Sequence, residues 1–182
     1  MARARDLIGP FPAGSNPEEY DALRRRVLWS IPSGIYLVGS RSGEHRNLMT
    51  CSWVSQVCMD PKLLAVGVER EARTNELIRT GNAFCCSLVG RDDRAVVRHF
   101  VKPAVDDRVA HTLNDLSYRD AHMTGCPIPD LAMAFLDCSL ERMVELGSHT
   151  LFIGEIVDAG FAAGREGAEV LRMEDTRMSY GG

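Results

Sequence analysis

Polar and apolar residues along this chain fall mostly into short runs separated by turn residues, with a few stretches at helical spacing. In SNPEEYDALRRRVLWSIPSG, apolar Tyr20, Leu23, Val27 and Leu28 recur at helical intervals. Asn16 is a candidate N-cap, Pro17 holds the first helical position, and Glu18 and Glu19 fall in the first turn, where the helix dipole favours acids. The pattern predicts a helix near 17–29, ended by Pro32 and Gly34. GIYLVGSR then reads as a strand, SGEHR as a hairpin turn, and NLMTCSWVSQ as the return strand, which Asp60-Pro61 stops before KLLAVGVE begins the next.

Thr74 can cap a short helix through Leu77 and Ile78, closed by Gly81. AFCCSLVG is nearly continuous in apolar character, as a strand buried on both faces would be, and DDRAVVRHF predicts a helix capped by Asp92. Residues 103–130, polar and rich in Asp and His, predict a long loop with a short helix or edge strand. Beyond them, three strands broken near Asp137 and at Gly147 are expected, then an extended tail over AEVLRMEDTRMSYGG. Six or seven strands joined mainly by short turns favour an antiparallel barrel over a doubly wound sheet.

The length of 182 residues suits one domain, with 1–26 as an N-terminal extension and helix, 27–161 as the barrel and 162–182 as the tail. Lys and Arg number 21 against 25 Asp and Glu, and the one dense basic run, Arg24 to Arg26, lies in the helical pattern. Nucleic acid is not an expected partner. No apolar run approaches the ~20 residues of a membrane span and no apolar signal core follows the first residues, so a cytoplasmic location is expected. Six cysteines without C-x-x-C spacing read as reduced thiols, and five histidines without a metal-ligand pair predict no metal site. The G-x-G-x-x-G, phosphate-loop and G-x-S-x-G signatures are absent.

The return strand is unusual because neither of its faces is uniformly polar or apolar. Asn47, Met49, Cys51, Trp53 and Ser55 alternate with Leu48, Thr50, Ser52, Val54 and Gln56. A ligand suited to Asn47, Thr50, Ser52 and Trp53 together would be flat and aromatic on its faces, with donors and acceptors along one edge, as a flavin ring system is. About 20 residues on, REARTN offers two guanidinium groups and a hydroxyl at a helix start, an anion site suited to phosphate.

These residues resemble the flavin reductase-like group of FMN-binding split barrels. The resemblance runs over roughly 27–102 and 137–161, and rests on N-x-M-T-x-x-W, the strand-ending Asp-Pro, the cap containing Arg70, Arg73 and Thr74, and Gly-x-His-Thr-Leu-Phe-x-Gly-Glu. It implies a six-stranded antiparallel split β-barrel of Greek-key type with a few flanking helices, usually a homodimer, that binds FMN or FAD. It also implies reduction of flavin by NAD(P)H, in many members for a flavin-dependent monooxygenase, while others are electron carriers. On this resemblance Asn47, Thr50, Ser52 and Trp53 line the isoalloxazine, Arg73 and Thr74 meet the ribityl phosphate, and His149 stands near the ring where nicotinamide docks. The chain has Ser148 where the family often has Asp, and Lys62 where a second Pro often follows Pro61.

Each of these residues also has a purely structural role open to it. Thr50 and Ser52 can bond across strands, Trp53 can be core, Thr74 can serve as a cap alone and Arg73 as a solvated charge. A flavoprotein carrier without its own NAD(P)H oxidation, and a flavin-free barrel using the same cleft, are the competing functional readings.

Overall fold

A computed structural model of the protein describes residues 7–176 and residue 178, so the expectations for the first six residues and for the end of the tail lie outside the described residues. Helix α1 (Pro17–Trp29) starts as the sequence predicts: the Asn16 side-chain oxygen accepts from the amides of Glu18 at 3.0 Å and Glu19 at 3.3 Å. None of its residues is buried.

Seven strands follow the order β2-β1-β5-β10-β11-β4-β3, with every pairing antiparallel. They are β1 (Tyr36–Ser42), β2 (His45–Cys51), β3 (Val54–Met59), β4 (Lys62–Glu69), β5 (Ala83–Leu88), β10 (Ala134–Leu146) and β11 (His149–Phe161). The expected six-stranded split barrel needs correction in its strand count, since seven strands share this sheet, and the sheet does not close on itself. The return strand predicted as one piece leaves the ladder at Ser52 and Trp53, so that β2 pairs with β1 and β3 pairs with β4 at the opposite end of the sheet. The chain, rather than a ladder of hydrogen bonds, joins the two sheet ends.

The three strands expected at the C-terminal end are two long ones. Asp137 does not end β10; the register slips there and again between Leu140 and Arg142, and Gly147, at φ 49, makes the turn into β11. Residues 103–130, expected as mostly loop, hold a second antiparallel sheet of β6 (Asp106–Asp107), β7 (Thr112–Leu113), β8 (Leu116–Asp120) and β9 (Pro127–Pro129). These strands are too short for a periodic signal to show. Instead of the predicted helix over 92–100 there are two 3-10 segments, Arg91–Asp93 and Val96–Phe100, and no side chain caps either one. The tail is extended only as far as two isolated bridges, Gly90 to Val170 and Gly34 to Arg172, before a 3-10 turn at Met173–Asp175.

Burial divides between two main clusters. Val38, Val66, Phe84, Cys86, Cys138 and Phe152 fill the barrel interior, while Ile35, Leu37, Leu48, Val97, Phe100 and Leu113 pack beneath the 3-10 segments and the second sheet. Five of the six residues of β5 are buried, which accounts for its nearly continuous apolar run. Helix α2 (Arg73–Gly81) lies against β1: a Cβ on Gly81 would fall 1.8 Å from the Arg41 carbonyl oxygen, so only glycine fits there. Asn82, at φ 54, closes the helix one residue later than predicted. Among the described residues no helix is long and apolar enough to cross a membrane.

Candidate functional site

The mixed faces of β2 are explained atom by atom. Asn47 is buried; its side-chain nitrogen donates to the Thr74 hydroxyl at 2.8 Å and its oxygen accepts from the Ala104 amide at 2.8 Å. The Thr50 hydroxyl donates to the Val97 carbonyl. The Cys51 thiol points to the carbonyl oxygens of Gly67 and Trp53 at 3.6 and 3.8 Å. These side chains therefore tie the strand to its surroundings, as a buried polar group requires. Ser52 differs. It is 6% exposed, and its hydroxyl has no hydrogen-bond partner among the described residues.

Ser52 faces a cavity of about 350 Å³ that Asn47, Met49, Thr50, Arg73, Thr74 and Lys102 also line. One wall is the start of α2. Thr74 is not its cap, contrary to the sequence prediction: Ala72 occupies that position and no side chain caps the helix, while Thr74 lies buried one residue inside it with its hydroxyl turned to Asn47. The first amides of a helix lack intrahelical acceptors and carry the positive end of its dipole. Arg73 adds a cation, already paired with Glu76 at 2.5 Å. Lys102 adds a second cation, which forms no ion pair or side-chain hydrogen bond among the described residues. Glu69 and Glu71 also line the cavity and oppose these charges. Sequence reasoning missed Lys102, because it begins a stretch without periodicity and belongs to no motif.

A second, larger cavity of about 1100 Å³ adjoins the first and shares Ser52, Met173 and Met178 with it. Trp53, 42% exposed, lines this cavity and not the smaller one, so it is neither a core residue nor a neighbour of the anion features. Its ring meets that of His149, with centroids 4.6 Å apart and a 49° tilt. His149 lines neither cavity; Ser148 Oγ lies 2.8 Å from its Nδ1, and its Nε2 is buried without a hydrogen-bond partner among the described residues. Thus Asn47, Thr50, Ser52, Arg73 and Thr74 come together as expected, with Trp53 next door and His149 behind Trp53.

No group of His, Cys, Asp or Glu able to hold a metal occurs among the described residues. All six cysteines are free. Burial pushes Cys51 and Cys126 up to about 11 and Cys138 to about 12, and raises Cys85 and Cys86 as well. Protonated thiols of this kind are poor nucleophiles.

A family model described as "flavin reductase like domain" matches residues 28–180. The chain belongs to that family. It is 30% identical over 167 residues to the NADH-dependent FAD reductase of Streptomyces globisporus, covering 88% of this chain and 87% of that protein. The fold matches the solved NADH:FAD oxidoreductase SgcE6 of Streptomyces globisporus C-1027 with a TM-score of 0.74 at 24% identity, over 97% of this chain and 95% of that one. It also matches the styrene monooxygenase flavin reductase SMOB of Pseudomonas putida S12, with a TM-score of 0.69 at 25% identity, over 85% and 93% of the two chains. For this flavin reductase-like protein, the Ser52 hydroxyl, which has no hydrogen-bond partner among the described residues, and the start of α2, which no side chain caps, suit a flavin at the ring and phosphate ends respectively.

Proposed function

We propose that this protein is an NAD(P)H-dependent flavin reductase that takes FMN or FAD in the smaller cavity. The observation that carries the reading is the pairing, in one cavity of a flavin reductase-like chain, of a helix start free of any side-chain cap with the hydroxyl of Ser52, which has no hydrogen-bond partner among the described residues. The amides of α2, with Arg73 and Lys102, hold the ribityl phosphate. Ser52 offers its hydroxyl to the polar edge of the ring system, and Met49, Phe100 and Met173 supply apolar cover and keep water from its face. Asn47 and Thr74 act one step back by fixing β2 against α2.

Bound flavin supplies the hydride-accepting chemistry, and this chain's residues bind and orient the two substrates within reach of each other. No acid or base is required of the protein for hydride transfer itself. His149 acts through Trp53, whose ring it supports. A homodimer accords with the uncovered apolar side of α1, and a flavin-dependent monooxygenase is the proposed consumer of the reduced flavin.

The test is an anaerobic absorbance spectrum of the protein with FMN, taken before and after NADH or NADPH is added. Bleaching of the flavin band at a protein-dependent rate is expected. A band that persists while flavin is bound makes the protein a carrier, and no flavin binding at all removes both readings.

A further inference from the structure

We propose that residues 172–176 form a latched flap over the smaller cavity, hinged at Leu171 and held shut by Arg91 and Arg98, and that flavin enters and leaves as it opens. This rests on the reading of the smaller cavity as the flavin site.

The ties along this segment are unequal. At its base the Leu171 amide donates to the Val89 carbonyl at 2.9 Å, and the Leu171 carbonyl accepts from the Ile35 amide at 3.1 Å. The Leu171 side chain is fully buried in the cluster of Ile35, Leu37 and Phe100. Beyond it, among the described residues, one backbone bond reaches the body, from the Met173 amide to the Ser33 carbonyl at 3.0 Å. The rest of the segment bonds to itself. The Asp175 carboxylate accepts from the Arg172 amide at 3.0 Å, and the Thr176 hydroxyl donates to the Met173 carbonyl at 2.8 Å. A turn closed on itself and tied to the body by one backbone bond belongs to the low end of local stability, and it moves as one piece.

Two arginines close the tip. Arg91 pairs with Asp175 at 2.8 Å, and Arg98 donates to the Thr176 carbonyl at 2.9 Å. Arg91 also holds Glu169, on the other side of the hinge, so it keeps its place when the tip leaves. Arg98 belongs to the 3-10 segment whose last residue, Phe100, lines the smaller cavity, and Met173 lines that cavity from the flap. The Arg98 bond thus spans two walls of one space. Met173 lines the larger cavity as well, so displacing the turn joins the two. Both arginines are exposed, and water competes for their bonds, which suits a latch that must release.

The experiment follows riboflavin binding by stopped-flow quenching of flavin emission, in the full-length wild type and in Arg98→Ala, Arg91→Gln, Asp175→Asn and the last two combined. Riboflavin carries no phosphate, which leaves Arg73 and Lys102 out of the comparison. A latch that holds the empty and the filled cavity alike alters rates and not equilibrium. Arg98→Ala should raise the association and dissociation rates together, each about ten-fold, with Kd within about two-fold of the wild type. Arg91→Gln and Asp175→Asn should each raise both rates about two- to five-fold, and the double variant should do no more than either. Hydrogen exchange, measured without flavin, should quicken over 172–176 and stay unchanged over β5. Unchanged rates or exchange, or a dissociation rate that rises alone and carries Kd with it, overturns the flap and makes the turn a fixed wall. A wild type that binds no riboflavin removes the flavin cavity and the flap with it. Rates that move as expected, in a protein whose bound flavin NADH does not bleach, leave the flap and remove the reductase.

Discussion

Asn47 and Thr74, 27 residues apart in sequence, meet in a buried hydrogen bond of 2.8 Å from the carboxamide nitrogen to the hydroxyl. With the Ala104 amide on its other end, Asn47 joins β2, α2 and the loop leading to the second sheet. Asn47→Ala leaves a hydroxyl and an amide without partners. It should cost about 1–3 kcal/mol, read as a lower urea midpoint with unchanged slope. Because it loosens the frame rather than one contact, FMN and riboflavin should weaken together.

Charge at the start of α2 separates the two flavins differently. Arg73→Gln and Lys102→Gln should each weaken FMN about ten-fold and leave riboflavin unchanged, since only FMN carries the phosphate. Glu76→Gln releases Arg73 from its 2.5 Å ion pair and should tighten FMN. Equal losses for both flavins would move the phosphate elsewhere.

Much of this was legible in the sequence because local chemistry and fold agree. Asn16 and Pro17 start α1, and the long apolar run of β5 is buried on both sides. The helix after residue 72 was also foreseeable. What escaped depends on tertiary packing. Ala72 at the N-cap gives no signal, and Thr74 looked like a cap because its bond to Asn47 is long-range. The break at Ser52 and Trp53 is set by β2 and β3 joining opposite ends of a sheet. Lys102 and the short strands of the second sheet carry no period at all.

Helix α1 buries none of its residues, yet Leu23, Val27, Leu28 and Trp29 are 43–61% exposed. A second copy of the chain would cover that side. Sedimentation should show twice the monomer mass at micromolar concentration. Leu23→Glu with Val27→Glu should shift it to monomer, each change costing the fold of the single chain no more than about 0.5 kcal/mol, the usual range for surface changes.

The thiols set an alkaline limit. Cys51 and Cys126 are pushed from an ordinary 9.0 to about 11, and Cys138 to about 12, by burial. The folded chain holds these protons more tightly than the unfolded one. The resulting stabilisation is fully present below pH 9 and is lost as pH rises through the folded values, at roughly 1.4 kcal/mol per unit of displacement for each group. Urea midpoints should be flat on this account up to pH 9 and fall steeply above it. At pH 8 a thiol reagent should modify Cys58, the partly exposed one, far faster than the other five.

Strand β10 pairs with β5 only from Ala134 to Ser139, whereas its pairing with β11 continues to Leu146. The Leu140 amide still donates to the Asn82 carbonyl, and the last six residues thus have one side unladdered among the described residues, with Met143, Val144 and Leu146 exposed. Such an edge is a template for fibrous self-association. Glu141, Arg142 and Glu145 interrupt it, and Glu145 is held in its charged form by Arg79 and Arg70. These charges act as gatekeepers against aggregation, so replacing them with neutral residues would shorten the protein's life in concentrated solution before it altered the fold.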